Sequence, residues 1–264
     1  MSLVIGDHWE QIKNILGDIV PILCNHAKPL SSRSMISVVI PTLNAGPHLG
    51  RTLAALVPAA VDGLVREVIV ADGGSSDATA DIAEEAGATF IAAERGRGQQ
   101  LRAGAGAARS RWLLFLHADT VLQPPWEDEA VRFMRAVDLG ELPPSAGVFR
   151  FALDDSGVWA RFLEAGVHLR CMILRLPYGD QGLLIPRALY DEVGGFQPMA
   201  LMEDVDMARR LGRRRIAKLG AKALTSARRY RSGGGWSLRV MRNLACLTLY
   251  YLRVPPRYIV KLYG

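Results

Sequence analysis

The chain has 264 residues, half of them apolar, and a formal net charge of +6. That length supports one large core, or one core with appendages. Three scattered cysteines, Cys24, Cys171 and Cys246, form no Cys-x-x-Cys pair; this excludes a disulfide framework and a cysteine zinc site and suits a reducing compartment.

The charge is unevenly placed. Fifteen Lys and Arg lie from Met207 to Gly264 with no Asp or Glu, so the acidic residues all belong to the first 206 positions. A basic end on an acidic body suits a partner carrying phosphates, such as a nucleotide or a lipid headgroup. No recognised nucleic-acid motif accompanies the charge, so nucleic acid is not expected as a partner.

In residues 1–35, Trp9, Ile12, Ile15, Leu16, Ile19 and Leu23 fall near helical spacing. An amphipathic helix is expected, packed on the main domain or on a second copy in a homodimer. It lacks the basic flank and long apolar core of a signal peptide. Lys28–Ser34 is a turn-forming linker. Ile36–Ile40 then reads as a buried strand closed by Pro41-Thr42-Leu43-Asn44, followed by a helix over Pro47–Ala60. Glu67–Ala71 is the second strand and ends in Asp72-Gly-Gly-Ser-Ser-Asp77. Ser76 or Asp77 can cap a helix over Ala78–Ala86, which Gly87 stops. A third strand, Ala88–Ala92, and a Gly/Ala-rich helix, Gln99–Ala108, lead to the short apolar run Trp112–Leu116. Polar groups appear abruptly after it: His117, Ala118, Asp119, Thr120. Strands alternating with such helices imply right-handed crossovers, a parallel sheet and a nucleotide-binding α/β fold.

In such sheets the ligand lies outside the carboxyl ends of the strands. Three polar clusters sit there: Pro41, Thr42 and Asn44; Asp72 to Asp77; and His117 with Asp119. Backbone at Gly73 and Gly74 can approach a ligand closely. Asp72 can accept hydrogen bonds from a base or ribose, and Asp119 can hold a divalent cation (Mg²⁺ or Mn²⁺) against a diphosphate. Any one of these turns alone would serve equally as a helix cap. Arg95, Arg97 and Arg102, in the glycine-rich stretch Glu94–Arg102, are candidates to reach the diphosphate, since guanidinium forks match phosphate oxygens. The alternative for them is a solvated helix start. Gly104-Ala-Gly-Ala-Ala-Arg109 fails as a dinucleotide fingerprint, because arginine stands where a small residue is required.

In the second half, Ala146–Leu153 reads as a strand and Val158–Arg170 as a helix. Gly194-Gly195-Phe196 makes a turn, and Glu203-Asp204 opens a further helix. Gly233–Gly235 is a hinge or loop able to order over a ligand. Trp236–Leu252 mixes Arg239 and Arg242 with an apolar end too short to span a bilayer. It fits either a helix in a membrane interface or one covering the domain.

Val38-Val-Ile-Pro-Thr-Leu-Asn44, Val70-Ala-Asp-Gly-Gly-Ser-Ser-Asp77 and Phe115-Leu-His-Ala-Asp-Thr120 together resemble the signature set of the family 2 glycosyltransferases. The resemblance runs from about Ile36 to Tyr230. It implies the GT-A fold: an α/β nucleotide-binding sheet with helices on both faces in residues 36–231, followed by a basic amphipathic tail, 232–264. It also implies inverting transfer of a sugar from a UDP- or GDP-linked donor. By that resemblance Pro41, Thr42 and Asn44 line the nucleotide pocket and Asp72 meets the base. Asp119 matches the second aspartate of the Asp-x-Asp motif, the metal ligand; the first is His117 here. Gly179–Arg187, with Asp180 and Gln181, matches a segment beneath the donor sugar. Glu203-Asp204 matches the Glu-Asp motif, so Asp204 is the expected general base, with Asp180 its rival. Glu203 and Asp206 can instead be favourable charges at a helix start. Arg228, Arg229 and Tyr230 stand where relatives place residues near the diphosphate. His-Ala-Asp-Thr is similar to a bacterial subgroup associated with radical-SAM and selenium-related proteins. A cytoplasmic enzyme at the inner membrane face with a lipid-linked or envelope acceptor is the resulting expectation. The rivals are a nucleotidyltransferase, which would want a Gly-rich basic loop where Pro41–Asn44 stands, and a non-catalytic nucleotide- or membrane-binding module.

Overall fold

A computed structural model describes residues 36–173, 179–227 and 235–252, together with 254, 258, 259 and 262. The expected N-terminal helix, the Gly233–Gly234 hinge, and Arg228, Arg229 and Tyr230 lie outside these residues.

The described strands form one eight-stranded sheet in the order β3-β2-β1-β4-β7-β6-β8-β5. The strands are β1 (Ile36–Thr42), β2 (Val65–Asp72), β3 (Thr89–Ala92), β4 (Trp112–Phe115), β5 (Thr120–Leu122), β6 (Ala146–Leu153), β7 (Leu183–Pro186) and β8 (Ile216–Thr225). From β3 to β4 all pairings are parallel. Beyond β4 the sheet is mixed: β7 runs antiparallel to β4 and to β6, while β8 is parallel to β6 and antiparallel to β5. The expectation of a parallel sheet therefore holds for its first half only.

The helices are α1 (Gly46–Ala54), α2 (Val57–Val61), α3 (Thr79–Glu85), α4 (Arg97–Ala107), α5 (Trp126–Asp138), α6 (Val158–Ile173), α7 (Arg187–Glu192), α8 (Glu203–Leu211) and α9 (Gly235–Tyr251). Side chains alternate across each strand, so the sheet separates two cores. Val38, Ile40 and Leu114 pack with α1, α2, α3 and α5. Val39, Leu113, Phe115 and Ile185 pack with α4, α7, α8 and α9.

Three sequence expectations need correction. The helix expected over Pro47–Ala60 breaks between α1 and α2. Pro58 has no N–H, and its ring opposes the carbonyl four residues back, so an uninterrupted helix is unfavourable there. The segment after α8, for which no element is expected from sequence, is the ten-residue strand β8, on which Lys218 and Lys222 are exposed. α5, β5 and β7 were not anticipated as elements. By contrast, the expected stop at Gly87 is a Schellman closure: Gly87 N–H donates to Glu84 O and Ala88 N–H to Ala83 O, at φ 71° for the glycine.

α4 lies close on β1 because Gly104 faces Val39; a Cβ on Gly104 would fall 2.3 Å from Val39 Cγ1. At Gly106, on the outer face of the same helix, a Cβ would meet nothing within 4 Å. Gly104→Ala is therefore expected to destabilise by roughly 1–3 kcal/mol through overpacking. Gly106→Ala should be neutral or stabilising by up to about 1 kcal/mol. Urea unfolding midpoints of the two variants check the contrast.

Candidate active site

Because β1, β2 and β4 are parallel, their carboxyl ends share one edge. β7 runs the other way and pairs Leu183 with Phe115, so the single 3₁₀ turn before it, Gly179–Gln181, reaches the same edge beside His117.

The first two loops are stitched into one surface. Asp72, 4% exposed, accepts from Thr42 Oγ1 (2.8 Å) and Ser75 Oγ (2.5 Å) on Oδ1, and from the N–H groups of Gly74 (2.9 Å) and Ser75 (2.7 Å) on Oδ2. Burial raises its pKa, but the hydrogen bonds from Ser75, Thr42 and Gly74 outweigh burial and hold it below the usual carboxylate range. An ionised carboxylate has about four acceptor sites, and this one uses four within the protein. Its role here is to shape the 72–75 turn. A base contact, as expected from sequence, would have to displace one of these donors.

Asn44 sits at φ 53°, and its Oδ1 accepts from Ser76 N–H at 2.9 Å while its own N–H donates to Ser75 Oγ at 2.7 Å. Asp77 accepts from Gly46 N–H (2.9 Å) and Thr79 N–H (3.1 Å), meeting an otherwise orphaned donor at the start of α3. The N-cap itself is Ala78, which makes no side-chain cap bond, so neither Ser76 nor Asp77 occupies the cap position expected from sequence. Gln100, which sequence reasoning passed over, donates its side-chain amide to the carbonyls of Thr42 and Ala71 and so ties the ends of β1 and β2 together.

The second cluster surrounds His117. Its Nδ1 lies 3.5 Å from Asp119 Oδ1. On its other side a Cβ built on Gly179 would fall 3.0 Å from His117 Nε2 and 3.8 Å from Asp204 Oδ2. One glycine is thus flanked by the imidazole and the candidate base. Gly179 N–H donates to Asp204 Oδ2 at 2.9 Å, and Val205 N–H to Asp204 Oδ1 at 2.7 Å. Asp119 is 8% exposed, and it shares a small recess with His48, Arg51, Asp154 and Ser226. His117 and Gly179 thus stand between the two aspartates, which line different hollows: Asp119 the recess and Asp204 the cleft.

Asp204 and His117 line a cleft with Arg97, Glu203 and Gly179 at its polar rim and Leu101, Phe115, Phe196 and Met207 among its apolar walls. Three expectations change here. The arginine that lines this cleft is Arg97; Arg95 and Arg102 are exposed, and the charge of Arg102 acts on the buried Tyr190 hydroxyl. Gln181 is 5% exposed and donates to Phe149 O at 3.2 Å, an interior position that supports the turn. Asp180 offers its backbone carbonyl to the Thr225 hydroxyl at 3.3 Å.

Glu203 is the third change. It is 1% exposed and pairs through Oε1 with Arg97 Nη1 at 3.2 Å, while Oε2 is buried without a hydrogen-bond partner among the described residues. A favourable charge at an open helix start does not describe this. Burial pushes its carboxyl up to about 7, Arg97 pulling it down and Asp204 adding to the rise. The residue before it, Met202, has φ 67° and caps α8 in the left-handed region. That conformation costs about 1–2 kcal/mol for a residue with a side chain and is the kind of strain that collects at functional sites. Nothing in the local sequence signals it.

Comparison with known proteins follows this geometry. Residues 37–140 match the model for Glycosyl transferase family 2. A PGL/p-HBAD biosynthesis glycosyltransferase of Mycobacterium tuberculosis is 34% identical over 128 residues, 44% of this chain and 45% of that protein. A glucosyl-3-phosphoglycerate synthase of Mycolicibacterium paratuberculosis is 34% identical over 99 residues, 34% of this chain and 30% of that protein. The chain thus spans less than half the length of these curated relatives. Among solved structures, glucosyl-3-phosphoglycerate synthase from Mycobacterium tuberculosis, in complex with Mn²⁺ and UDP-glucose, superposes with a TM-score of 0.57 at 21% identity, covering 91% of this chain and 84% of that one. At that identity the likeness concerns the fold, and the GT-A architecture expected from sequence is the one observed.

The buried Glu203 carboxyl has a testable consequence. Its folded pKa, about 7, lies above its ordinary value of 4.5. The folded protein then holds a proton that the unfolded chain releases, so stability falls as pH rises from about 4.5 to about 7 and levels off above. Glu203→Gln should remove this slope. Urea unfolding of both proteins at about pH 5 and about pH 8 measures it: the difference in stability between variant and parent should grow in the variant's favour at the higher pH.

Proposed function

We propose that this chain, through the family 2 glycosyltransferase segment at residues 37–140, transfers a sugar from a UDP-linked donor to an acceptor hydroxyl with inversion, using Asp204 as general base. The observation that carries the reading is the fixed carboxylate of Asp204 at the cleft rim, held by Gly179 N–H at 2.9 Å beside His117. Inversion requires a base on the face opposite the departing diphosphate, within hydrogen-bond reach of the acceptor oxygen. Each Asp204 oxygen accepts one backbone N–H, which orients the carboxylate and leaves lone pairs for an acceptor O–H. Asp180 is the weaker candidate, since its turn is engaged with Thr225 and it does not line the cleft.

On the donor side the stitched loops offer Pro41, Asn44 and Gly74 to the nucleoside, while Thr42, 1% exposed with its hydroxyl on Asp72, supports the surface from beneath. Asp119, with His117 beside it at 3.5 Å, fits a divalent cation as one carboxylate plus an imidazole. Among the described residues no cluster of three or more such groups could hold a metal, so the remaining ligands would come from the diphosphate and water, as is usual for Mg²⁺ with nucleotides. Such a cation, when bound, supplies charge neutralisation of the leaving diphosphate. Arg97 stands at the same rim and adds a guanidinium able to turn from Glu203 toward phosphate oxygens. The UDP assignment leans on the Mn²⁺ and UDP-glucose bound by the structural relative. Placement in the radical-SAM-associated subgroup belongs to the same reading.

Asp204→Asn is expected to lower transfer by about 10²–10⁴-fold while leaving UDP affinity within about twofold. Wild-type turnover in that variant would hand the base role to Asp180. Asp119→Ala should abolish the enhancement of UDP binding by Mn²⁺, measured by calorimetry with and without metal. Binding of UDP that ignores metal in both proteins would favour a non-catalytic module.

A further inference from the structure

α9 has two unlike faces. Cys246 and Leu247 are buried in the core that also holds Met207, Ala208 and Leu211 of α8. Tyr250 completes the contact: Arg209 of α8 donates to its hydroxyl at 3.3 Å, and the same guanidinium lies 5.5 Å from the Tyr250 ring centre and 5.6 Å from that of Tyr251. Among the described residues the opposite face is exposed. Met241 is 67% exposed, Leu244 62%, Tyr251 48% and Leu252 69%. With the exposed Thr248 they recur at helical spacing and make one apolar stripe along the outer side of the helix.

Charge chooses among the occupants of such a stripe. From Met207 to the last residue the chain has fifteen Lys and Arg and no acidic side chain. A second copy would bring the same basic segment against itself, and like charges repel. A nucleic acid would match the charge and leave the Met, Leu and Tyr side chains without apolar partners. An anionic lipid surface satisfies both features, since apolar side chains enter the acyl boundary while cations meet the headgroups. Among the described residues no helix is long and apolar enough to cross a membrane, so the contact is one of lying on the surface.

We propose that the outer face of α9 docks this protein on an anionic lipid surface, with Met241, Leu244, Tyr251 and Leu252 inserted and the net positive charge of the C-terminal stretch drawing it to the headgroups. α9 is packed directly on α8, which carries Asp204. Docking would therefore hold the candidate base at a fixed height above the lipid. The proposal is independent of the sugar-transfer reading, because it rests on the surface of α9 alone.

The test uses the full chain and sedimentation with vesicles of phosphatidylcholine alone or mixed with phosphatidylglycerol. Binding should be at least about tenfold stronger to the mixed vesicles and should fall steeply with added salt. Met241→Glu combined with Leu244→Glu should reduce it by about tenfold or more, with unchanged far-UV circular dichroism and an unchanged urea unfolding midpoint as controls for folding. Leu244→Trp gives a second readout: its fluorescence should shift to the blue on the mixed vesicles and be quenched by brominated acyl chains. Three results would overturn the proposal. They are absent or equal binding to both vesicle types, a dimer in solution that the double variant dissociates, and preferential capture of nucleic acid over vesicles at matched charge.

Discussion

The hydrogen bond from Gly179 N–H to Asp204 Oδ2 joins two segments far apart in the chain, and the arrangement of the cleft depends on it. One end belongs to the turn that the antiparallel β4–β7 pairing delivers to the strand ends. The other belongs to the first turn of α8, which starts from the left-handed Met202. Position 179 is closely fitted, since a Cβ there would fall 3.0 Å from His117 Nε2 and the imidazole would have to give way. The bond therefore ties the turn beside His117, just past β4, to the carboxylate on α8. A shift of about 1 Å at such a point is enough to spoil reaction geometry.

On the donor side the polar residues divide into those that build the surface and those that remain to meet a ligand. Asp72, Asp77 and Gln100 spend their hydrogen-bonding capacity on neighbouring loops. Their conformations are thereby settled before any ligand arrives, and that preorganisation lowers the ordering cost of binding. Arg97 and Glu203 behave differently. A buried ion pair is seldom a net source of stability, and burial has already moved Glu203 toward its neutral form. The pair is better understood as holding a guanidinium at the rim in a defined position.

The same helix that carries Asp204 is tied to the C-terminal part of the chain. Arg210 pairs with Asp206 at 2.7 Å and also reaches the carbonyl of Val193, while Tyr250 of α9 meets Arg209. α8 is thus clamped between α7 and α9, with the cleft on one side of it and the exposed stripe of α9 beyond the other.

How much of this was legible in sequence follows from the range of the signals involved. β1, β2, β4 and β6 were readable because a strand buried on both faces must be a short apolar run. The polar clusters at their ends were readable because catalysis places polar groups there. Asp119, His117 and Asp204 came from linear motifs, and the structure brings their surroundings together through His117 and Gly179. What stayed hidden needs partners remote in sequence. β8 alternates weakly and borrows its burial from β6. Arg97 is indistinguishable in sequence from Arg95 and Arg102 until the helix phase of α4 turns it toward Glu203. That Thr42, Gly74 and Ser75 all donate to Asp72 is likewise invisible in the sequence. The linear order of residues determined which chemistry this chain carries. Which arginine, which carboxylate oxygen and which helix face are available for that chemistry was decided only by tertiary packing, because burial and hydrogen-bond occupancy are properties of neighbours that the chain brings together when it folds.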